Sequence, residues 1–466
     1  MLKRLLLSSI IILVFLLTPF LISAKNTSTS KIKIYNVLSF GAKGDGKTLD
    51  TKAFQAAIDK ATSISKKTQV LVPSGYTFLI GSIILKSNID FHLEEGSEIR
   101  ISTEQKDYIG EAAIKARNAD NLTISGTGYI NGQDMKFMDH YEKENEWWIP
   151  KEWRPNLFEL IACKNLEVKD ISFGEAPRWG LHMIGCEDVL IDHITIKNHL
   201  DVPNCDGIDP DHCRNVIIKN CHITCGDDGI VVKATRQNED FGPSANIKVS
   251  DCIIKTQDSG IKIGTETTAD IYNISFERIT ILSSCRGITI QLRDEGNVHH
   301  ISFSDITFSA RYHSDPWWGR GEAISFTAIP RNAETKIGKL HDVTVKNVTG
   351  VAENSIRISG TKESRIRNVL FENVTVTFAR STVYKGGLFD NRPTKVYEGI
   401  ELHTTPGYSI RFADQVTLKK CSVKWGNTIP DYFSHALETN DITELHLQDF
   451  DGASANPDKY ESIVNH

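Results

Sequence analysis

Short stretches in which apolar and polar residues alternate recur along most of this chain. Such alternation, with a period of two, predicts half-buried β-strands. The repeats can be aligned on one apolar index residue each, and these are Leu166, Val189, Val216, Ile247, Ile274, Ile301, Val343, Val369 and Val416. Six of the eight gaps between index residues are 23 to 31 residues long. That period is typical of the coils of a parallel β-helix, and the dense leucine pattern of leucine-rich repeats is absent from the sequence.

One segment near the start has helical periodicity instead. Apolar residues between Thr51 and Ala61 recur every three to four positions, and Asp50 or Thr51 is suited to cap the first turn. A solenoid exposes the edge of its sheets and its apolar core at each end unless something covers them. We therefore predict a short helix that caps the N-terminal end of the β-helix.

The first 24 residues form a separate segment. Two basic residues precede an apolar run from Leu5 to Ile22, and small residues up to Ala24 follow it. This pattern predicts a signal peptide that is cleaved near Ala24, with an uncleaved membrane anchor as the alternative. No later stretch is long and apolar enough to span a membrane. We expect a secreted or periplasmic protein in which residues 25–466 form one β-helical domain.

Composition and charge restrict the partners. The chain has 466 residues, of which 40% are hydrophobic and 24% charged, as in ordinary soluble proteins. A net charge of −6 gives no reason to expect nucleic acid or an anionic membrane as a partner. We expect a monomer that contacts no membrane after signal cleavage.

Most cysteines keep fixed places in the repeat. Three lie three residues before an index residue and three lie five residues after one, namely Cys163, Cys186, Cys213, Cys221, Cys252 and Cys421. Other repeats have mainly isoleucine or valine at these two places. The cysteines are therefore predicted to be buried free thiols inside the coil, although one stacked pair could still oxidise.

Three carboxylates concentrate the candidate chemistry. Asp206 precedes Asp227 and Asp228 by 21 and 22 residues, which is about one coil. We therefore expect the three side chains to meet on adjacent coils. Inverting hydrolysis of a glycosidic bond needs one protonated carboxyl group and one ionised carboxylate. Neighbouring carboxylates raise one another's pKa, which keeps one of them protonated.

Two other interpretations of these carboxylates stay open at this point. The segment is rich in aspartate and glycine, as surface turns are. A calcium site that also includes Asp209 and Asp211 is the second alternative.

At these residues the sequence resembles glycoside hydrolase family 28, the polygalacturonases and their relatives. The family motif Asn-x-Asp-Gly, followed one coil later by Gly-Asp-Asp, matches Asn204–Gly207 and Gly226–Asp228. Further similarity lies at Arg154-Pro155 and Ala176–His182, within a region of roughly residues 33–310. The resemblance implies an all-β, single-stranded, right-handed parallel β-helix and inverting hydrolysis by single displacement. It also implies that no metal or other cofactor takes part.

The resemblance also implies roles for individual residues. Asp227 would be the general acid, and Asp206 and Asp228 would hold and activate the attacking water. Asn204 belongs to the same motif, and we assign it to substrate binding. Trp179 and His182 would line the groove near the cleavage point.

Two departures from the family pattern concern the histidine that supports the acid and the residues that bind the substrate carboxylate. The family's Gly-His-Gly aligns with Asp258-Ser259-Gly260, so the histidine is missing. Its Arg-Ile-Lys, which binds the substrate carboxylate, aligns with Thr289-Ile290-Gln291. Gln291 stands where the lysine does, and Lys262, Arg286 and Arg293 are candidates to replace the missing basic groups. A ring without a carboxylate, such as a neutral or deoxy sugar, is the other expectation for that subsite.

Long loops interrupt the repeat and are expected on the binding face of the solenoid. One loop carries Trp317 and Trp318, another carries Trp147 and Trp148, and a third spans Tyr384–Pro393. Exposed aromatic rings suit sugar stacking, so we assign Trp317 and Trp318 to substrate binding. Loops that close one end of the groove would make the enzyme exo-acting.

The sequence thus predicts a glycoside hydrolase that acts on a pectin-type or related cell-wall polysaccharide or oligosaccharide. One alternative is a calcium-dependent polysaccharide lyase, in which the aspartates hold calcium and Lys233 or Arg236 removes a proton. The other is a β-helical carbohydrate-binding protein without activity. Retention of all three carboxylates favours the hydrolase, because binding alone does not need mutually repelling groups.

Overall fold

The computed structural model of the protein describes residues 32–466. Residues Lys33–His466 form one compact unit. The predicted signal peptide, residues 1–24, lies outside the described residues. Within residues 32–466, no helix combines the length and the apolar character needed to cross a membrane.

Three parallel sheets form the faces of a coil. Sheet 1 contains Ile83–Leu85, Ala112–Arg117, Asn156–Ile161, Leu181–Ile184, Ile208–Asp211, Ile230–Ala234, Ser259–Thr267, Arg286–Leu292, Glu322–Ala328, Asn354–Ser359, the first parts of Tyr408–Lys419 and Leu437–Gln448, and Ile463–Asn465. Sheet 2 contains Lys33–Asn36, Thr68–Val72, Ile89–Leu93, Thr123–Gly126, Lys164–Lys169, Glu187–Asp192, Arg214–Lys219, Ser244–Ser250, Ile271–Ser284, Val298–Ala310, Leu340–Ala352, Ile366–Phe378 and the last parts of Tyr408–Lys419 and Leu437–Gln448.

Sheet 3 is made of shorter strands. They are Asp45–Leu49, Thr77–Ile80, Glu98–Ile101, Tyr129–Asn131, Ser172–Gly174, Thr195–Lys197, His222–Cys225, Ile253–Thr256 and Ser422–Trp425. The four long strands that begin at residues 271, 298, 340 and 366 run from sheet 2 into sheet 3. The predicted parallel β-helix is thereby confirmed.

The index residues stack on one another inside the coil. Leu166 pairs with Val189, Val189 with Val216, and Val216 with Ile247, each in parallel register. All four are buried in the core. The period of the hydrophobic pattern therefore equals the length of one coil.

Polar residues in the left-handed backbone region turn the chain at both ends of each sheet 2 segment. The residue before every index residue has a φ between 50° and 58°, and the residue four places after it has a φ between 52° and 59°. Asparagine and aspartate hold most of these places, and both tolerate this conformation better than other side chains. Their amides also form ladders, as where Asn246 donates to Asn215 at 3.1 Å.

The predicted capping helix is confirmed as α1, Thr51–Ala61. Its apolar side packs on the core, where Phe54 meets Phe78 edge-on with 5.2 Å between the ring centroids. Asp50 stands at the N-cap but its side chain does not cap the helix. Its carboxylate instead accepts the backbone N–H groups of Lys43 and Gly44 at 2.7 and 3.0 Å.

Between residues 32 and 466, the remaining short elements are four 3₁₀ turns and two antiparallel hairpins. The turns are Val37–Phe40, Gln105–Asp107, Asp134–Phe137 and Lys143–Asn145. The hairpins pair Met138–Glu142 with Trp147–Pro150 and Leu388–Asp390 with Ile400–Leu402. Both hairpins belong to long loops that enter sheet 1. All nine cysteines are buried and free, including the six whose places in the repeat predict this state.

Candidate active site

Asp206 and Asp228 occupy the same place on adjacent coils. Each stands two residues before a strand of sheet 1, and the N–H of Gly207 donates to the carbonyl of Asp228 at 2.9 Å. The coils approach so closely here that a Cβ on Gly207 would lie 2.3 Å from the carbonyl oxygen of Gly229. Only glycine fits at this place, and the close approach brings the two carboxylates together.

Asp227 lies in the bend just before the strand, so it faces the same space as its neighbour Asp228. One oxygen of each of the three aspartates lies within 4.8 Å of the others. The backbone N–H and the side-chain amide of Asn204 donate to Asp227 Oδ2 at 3.1 and 3.4 Å. Arg154 donates to Asn204 Oδ1 at 2.6 Å, which fixes the amide so that its NH₂ faces Asp227.

The surroundings shift the pKa values of the two neighbouring aspartates in opposite directions. Burial, followed by the charges of Asp206 and Asp228, raises the pKa of Asp227 to about 7. Burial alone would also raise the pKa of Asp228, but the ammonium groups of Lys262 and Lys233 outweigh it and lower that pKa. Lys262 Nζ lies 2.7 Å from Asp228 Oδ2. A proton donor and an ionised carboxylate therefore stand side by side at neutral pH.

Asp206 shares a buried lysine with a fourth carboxyl group. Lys233 Nζ lies 3.2 Å from Asp206 Oδ2 and 3.5 Å from Asp209 Oδ1. Burial and the charge of Asp209 raise the pKa of Asp206, which Lys233 opposes. Burial raises the pKa of Asp209 to about 7. Asp206 is suited to hold a water molecule by a hydrogen bond, while Asp228 supplies the negative charge.

The carboxylates line a cavity of about 390 Å³ that has room for about one sugar ring and its linkage. Its charged lining groups are Asp206, Asp227, Asp228, Asp258, Glu266, Lys233 and Lys262. Its aromatic lining groups are Trp147, Trp179, Trp317 and Trp318. We refer to this space as the inner cavity.

Most of the predicted substrate residues meet at this cavity. Asn204, Trp179, Lys262, Trp317 and Trp318 line it. Trp317 is almost fully buried and donates its indole N–H to the carbonyl of a neighbouring loop residue at 3.2 Å, so it exposes little surface for stacking.

His182 lies behind the cavity wall. Its Nε2 lies 3.2 Å from Asp211 Oδ2, and its ring packs edge-on against Trp179 with 4.5 Å between centroids. Its contacts position the indole of Trp179, and it is not among the residues that line the cavity.

Gln291 and Arg293 are not brought to the cavity. Gln291 donates to the carbonyl of Arg392 at 3.2 Å, and Arg293 donates to Thr327 Oγ1 at 2.9 Å. Both side chains are buried beneath the loop that contains Arg392. Arg286 is buried as well, with Glu322 at 3.6 Å and two further carboxylates within 3.9 Å. These side chains therefore pack the loop onto sheet 1.

Sequence reasoning assigned no role to Asp258 and Glu266, although both line the cavity. Burial and the charges of Asp228 and Asp227 raise the pKa of Asp258 to about 7. The repeat could have indicated that Asp258 lies at the site, because Asp258 follows Asp227 by 31 residues, the local coil length. Glu266 had no such signal, since it follows an irregularity in the strand Ser259–Thr267.

Three loops join above sheet 1 and close one side of the inner cavity. Arg392 donates to the carbonyl of Trp317 at 2.8 Å, and the N–H of Gly319 donates to Asp390 at 2.7 Å. The indole N–H of Trp317 donates to the carbonyl of Asn145 in the third loop. We call this assembly of residues 138–154, 311–321 and 379–407 the loop wall.

Comparison with known proteins identifies the family. The family model of glycosyl hydrolases family 28 matches residues 62–386. A probable polygalacturonase of Vitis vinifera is 27% identical over 283 residues, which are 55% of this chain and 56% of the relative. The chain thus spans little more than half the length of that curated relative.

Solved structures share the fold. The family 28 exopolygalacturonase of Yersinia enterocolitica matches with a TM-score of 0.67 at 19% identity, over 90% of this chain and 78% of its own. The hyperthermoactive exopolygalacturonase of Thermotoga maritima gives 0.66 at 21% identity, over 85% and 92%. These matches confirm the predicted right-handed parallel β-helix. Because the family model covers well over half of the residues, the motif resemblance is also confirmed, and the chain belongs to glycosyl hydrolases family 28.

Proposed function

We propose that this protein is an exported glycoside hydrolase that cleaves a glycosidic bond in pectin or a related cell-wall polysaccharide or oligosaccharide with inversion of configuration. The observation that carries the proposal is the pair Asp227 and Asp228, which have raised and lowered pKa values within one cavity. Inverting hydrolysis requires this combination of an acid and a base.

The residues act in one displacement. Protonated Asp227 donates its proton to the glycosidic oxygen as the bond between that oxygen and the anomeric carbon breaks. A water molecule held by Asp206 and Asp228 attacks the opposite face of the sugar ring, and Asp228 accepts its proton. Asp227 is then reprotonated from solvent, which its pKa near 7 allows at neutral or acidic pH.

Cleavage near a chain end is part of the proposal. The loop wall stands across the groove beside the catalytic aspartates, and Trp147, Trp317 and Trp318 line the inner cavity at that side. A polymer cannot pass through such a wall, whereas the end of a chain can enter the cavity. The loop wall therefore favours an exo-acting enzyme.

The spacing of the three carboxylates also suits a cation, which keeps a calcium-dependent lyase as the second candidate. Two observations favour the hydrolase. Lys262 and Lys233 already neutralise Asp228 and Asp206, and a divalent cation would have to displace or oppose them.

Product analysis tests the proposal. Wild-type protein and Asp227→Asn are incubated with polygalacturonate, rhamnogalacturonan and neutral galactans. We expect new reducing ends of inverted configuration, no ultraviolet absorbance from unsaturated sugar, and a loss of about 10²–10⁴-fold in the variant.

The matched control is Asp305→Asn, an exposed aspartate in a bend remote from the cavity, which should leave the rate unchanged. Calcium-dependent absorbance would instead establish a lyase. Binding without any turnover across the panel would indicate a carbohydrate-binding protein.

A further inference from the structure

A second cavity of about 410 Å³ adjoins the inner cavity and shares Trp179 and Asn204 with it. We call it the outer cleft. Its charged lining groups are the guanidinium groups of Arg154 and Arg178 and the carboxylates of Glu111 and Glu152. The two arginines lie close enough for the charge of Arg178 to add to burial in lowering the pKa of Arg154. Two neighbouring guanidinium groups suit an anionic ligand here, because both carboxylates of the cleft are exposed to solvent.

Arg154 hydrogen-bonds to neutral groups of the protein. The guanidinium donates to the carbonyl oxygens of Pro177 and Pro203 at 2.9 and 2.6 Å and to the side-chain oxygen of Asn204 at 2.6 Å. All three acceptors are neutral. Among residues 32–466, no carboxylate lies within the 4.0 Å of Arg154 that defines an ion pair.

Arg178 is available to a ligand. Its guanidinium lies 5.7 Å from the centroid of the Trp179 indole, and its partner carboxylate is Glu111 at 3.3 Å. The Glu111 side chain is 72% exposed. Ion pairs this exposed contribute little, so a substrate carboxylate can take the place of Glu111.

The inner cavity is more acidic than the outer cleft. Within the described part of the chain its lining includes five carboxyl groups and only two ammonium groups. Lys262 is bound to Asp228, and Lys233 is bound between Asp206 and Asp209. A sugar carboxylate placed there would meet net negative charge and no free basic group.

We propose that the outer cleft is a subsite for a uronate ring, whose carboxylate binds Arg178 with Arg154 behind it, and that the inner cavity takes a ring without a carboxylate. This assignment rests on the proposed function. The acid Asp227 stands beside Asn204, one of the two residues shared by the cavities, and so faces the linkage between the two rings. The bond cleaved would then join a neutral or deoxy sugar to a uronic acid.

Binding calorimetry in the Asp227→Asn background tests the subsite without turnover. The probes are trigalacturonate and the same trisaccharide with its carboxyl groups reduced to alcohols. We expect Arg178→Gln to weaken trigalacturonate binding about ten-fold and to leave binding of the reduced probe unchanged. Arg178→Lys should recover part of the loss. Arg278→Gln removes an exposed arginine of similar ion pairing on the bend between sheets 2 and 3, and should change neither probe.

Three outcomes would overturn the subsite. These are equal weakening of both probes by Arg178→Gln, no weakening of either probe, and no measurable trigalacturonate binding at millimolar concentration. Failure of the hydrolase proposal is distinguishable, because no substrate would then be hydrolysed while arginine-dependent binding of the acidic probe remained.

Discussion

Asp227 and Asp228 are neighbours in sequence, yet their surroundings give them opposite tendencies to hold a proton. Asp228 faces the ammonium group of Lys262, whereas Asp227 accepts only neutral N–H groups and lies among carboxylates. The assignment of acid and base therefore depends on which aspartate a lysine contacts, and not on the aspartates themselves.

The first prediction concerns the pH dependence of activity. We expect kcat/KM to fall above about pH 7 as Asp227 loses its proton, and to fall at low pH only below the ordinary aspartate pKa of about 4. Lys262→Met removes the cation that lowers the pKa of Asp228. The fall of kcat/KM on the acidic side of the pH profile (the acidic limb) should therefore begin at a higher pH. Activity at pH 4.5 relative to pH 6.5 should drop about ten-fold.

Lys262→Arg is the control, since it keeps the positive charge beside Asp228. An acidic limb at the same pH in Lys262→Met and the wild type would show that Asp228 does not owe its low pKa to this lysine. Rate profiles from pH 3 to 9 measure all three proteins.

The second prediction concerns stability. The pKa of Asp227 is about 7 in the fold and near 3.8 in the unfolded chain, so the folded protein holds a proton that the unfolded chain releases between these values. Stability falls as pH rises through this range. Asp227→Asn has no such loss, and should exceed the wild type by about 1–3 kcal/mol at pH 8.

At pH 4 the carboxyl group of Asp227 is protonated in the fold, and the difference between variant and wild type should nearly vanish. Urea unfolding at pH 4 and pH 8 measures this difference in the free energy of unfolding. The same stabilisation at pH 4 and pH 8 would mean that the charge of Asp227 is not its cause.

The sequence could predict the meeting of Asp206, Asp227 and Asp228 because it depends only on coil length. It could not show which side chains would neutralise them. Lys262 and Lys233 reach the carboxylates from neighbouring strands of sheet 1, and the direction of each side chain depends on where its strand begins. That start is set by irregular bends which have no hydrophobic period.

At the scale of a single coil, the bends around sheet 2 give the repeat its regularity. Their left-handed residues stand at fixed distances from the index residue in all nine repeats. Asparagine stabilises these bends in two ways. Its backbone tolerates the left-handed conformation, and its side chain hydrogen-bonds to the coils above and below. Asn246, for example, donates to Asn215 and accepts from Asn273, both at 3.1 Å.

The third prediction separates these two contributions. Asn246→Ala loses both, and should lower the free energy of unfolding by about 1–2 kcal/mol. Asn246→Gly adopts the same φ without strain and should recover part of the loss. Denaturant unfolding measures both, with the exposed Lys248→Ala as a control of little effect. Equal stability of the alanine and glycine variants would indicate that the side-chain ladder alone matters.

The alternation of apolar residues made sheet 2 predictable from sequence. The strands of sheet 1 were harder to predict from sequence, because several of them are buried on both faces. The strand Arg286–Leu292 is buried throughout, inside by the core and outside by the loop wall. Its polar residues could not be distinguished from groove residues by pattern, so the prediction that Gln291 and Arg293 bind substrate depended on the alignment with the family motif alone.

At the scale of the whole molecule, we propose that the loop wall determines which substrates enter. Arg392 connects two of its loops. It forms an ion pair with Asp390 at 2.7 Å and donates to the carbonyl oxygens of Asp315 and Trp317. No periodicity in the sequence specifies these contacts, which join residues about 75 positions apart.

The fourth prediction is that Arg392→Ala loosens the wall. We expect cleavage to move from chain ends toward internal bonds, so that polymer viscosity falls faster for each reducing end released. Arg380→Ala is the control, because Arg380 bonds only to carbonyl groups of its own loop. An unchanged ratio of viscosity loss to reducing ends in Arg392→Ala would contradict the role of the wall.

The constant spacing of the bends around sheet 2 has a consequence for how such proteins diversify. Every repeat keeps four residues between its two left-handed positions, while whole repeats differ in length from 23 to 47 residues. Inserted and deleted residues therefore gather where the chain enters or leaves sheet 1, on the face that carries the aspartates. Mutation can thus change the entrance to the inner cavity while the sheet 2 segments and their bends keep the same length.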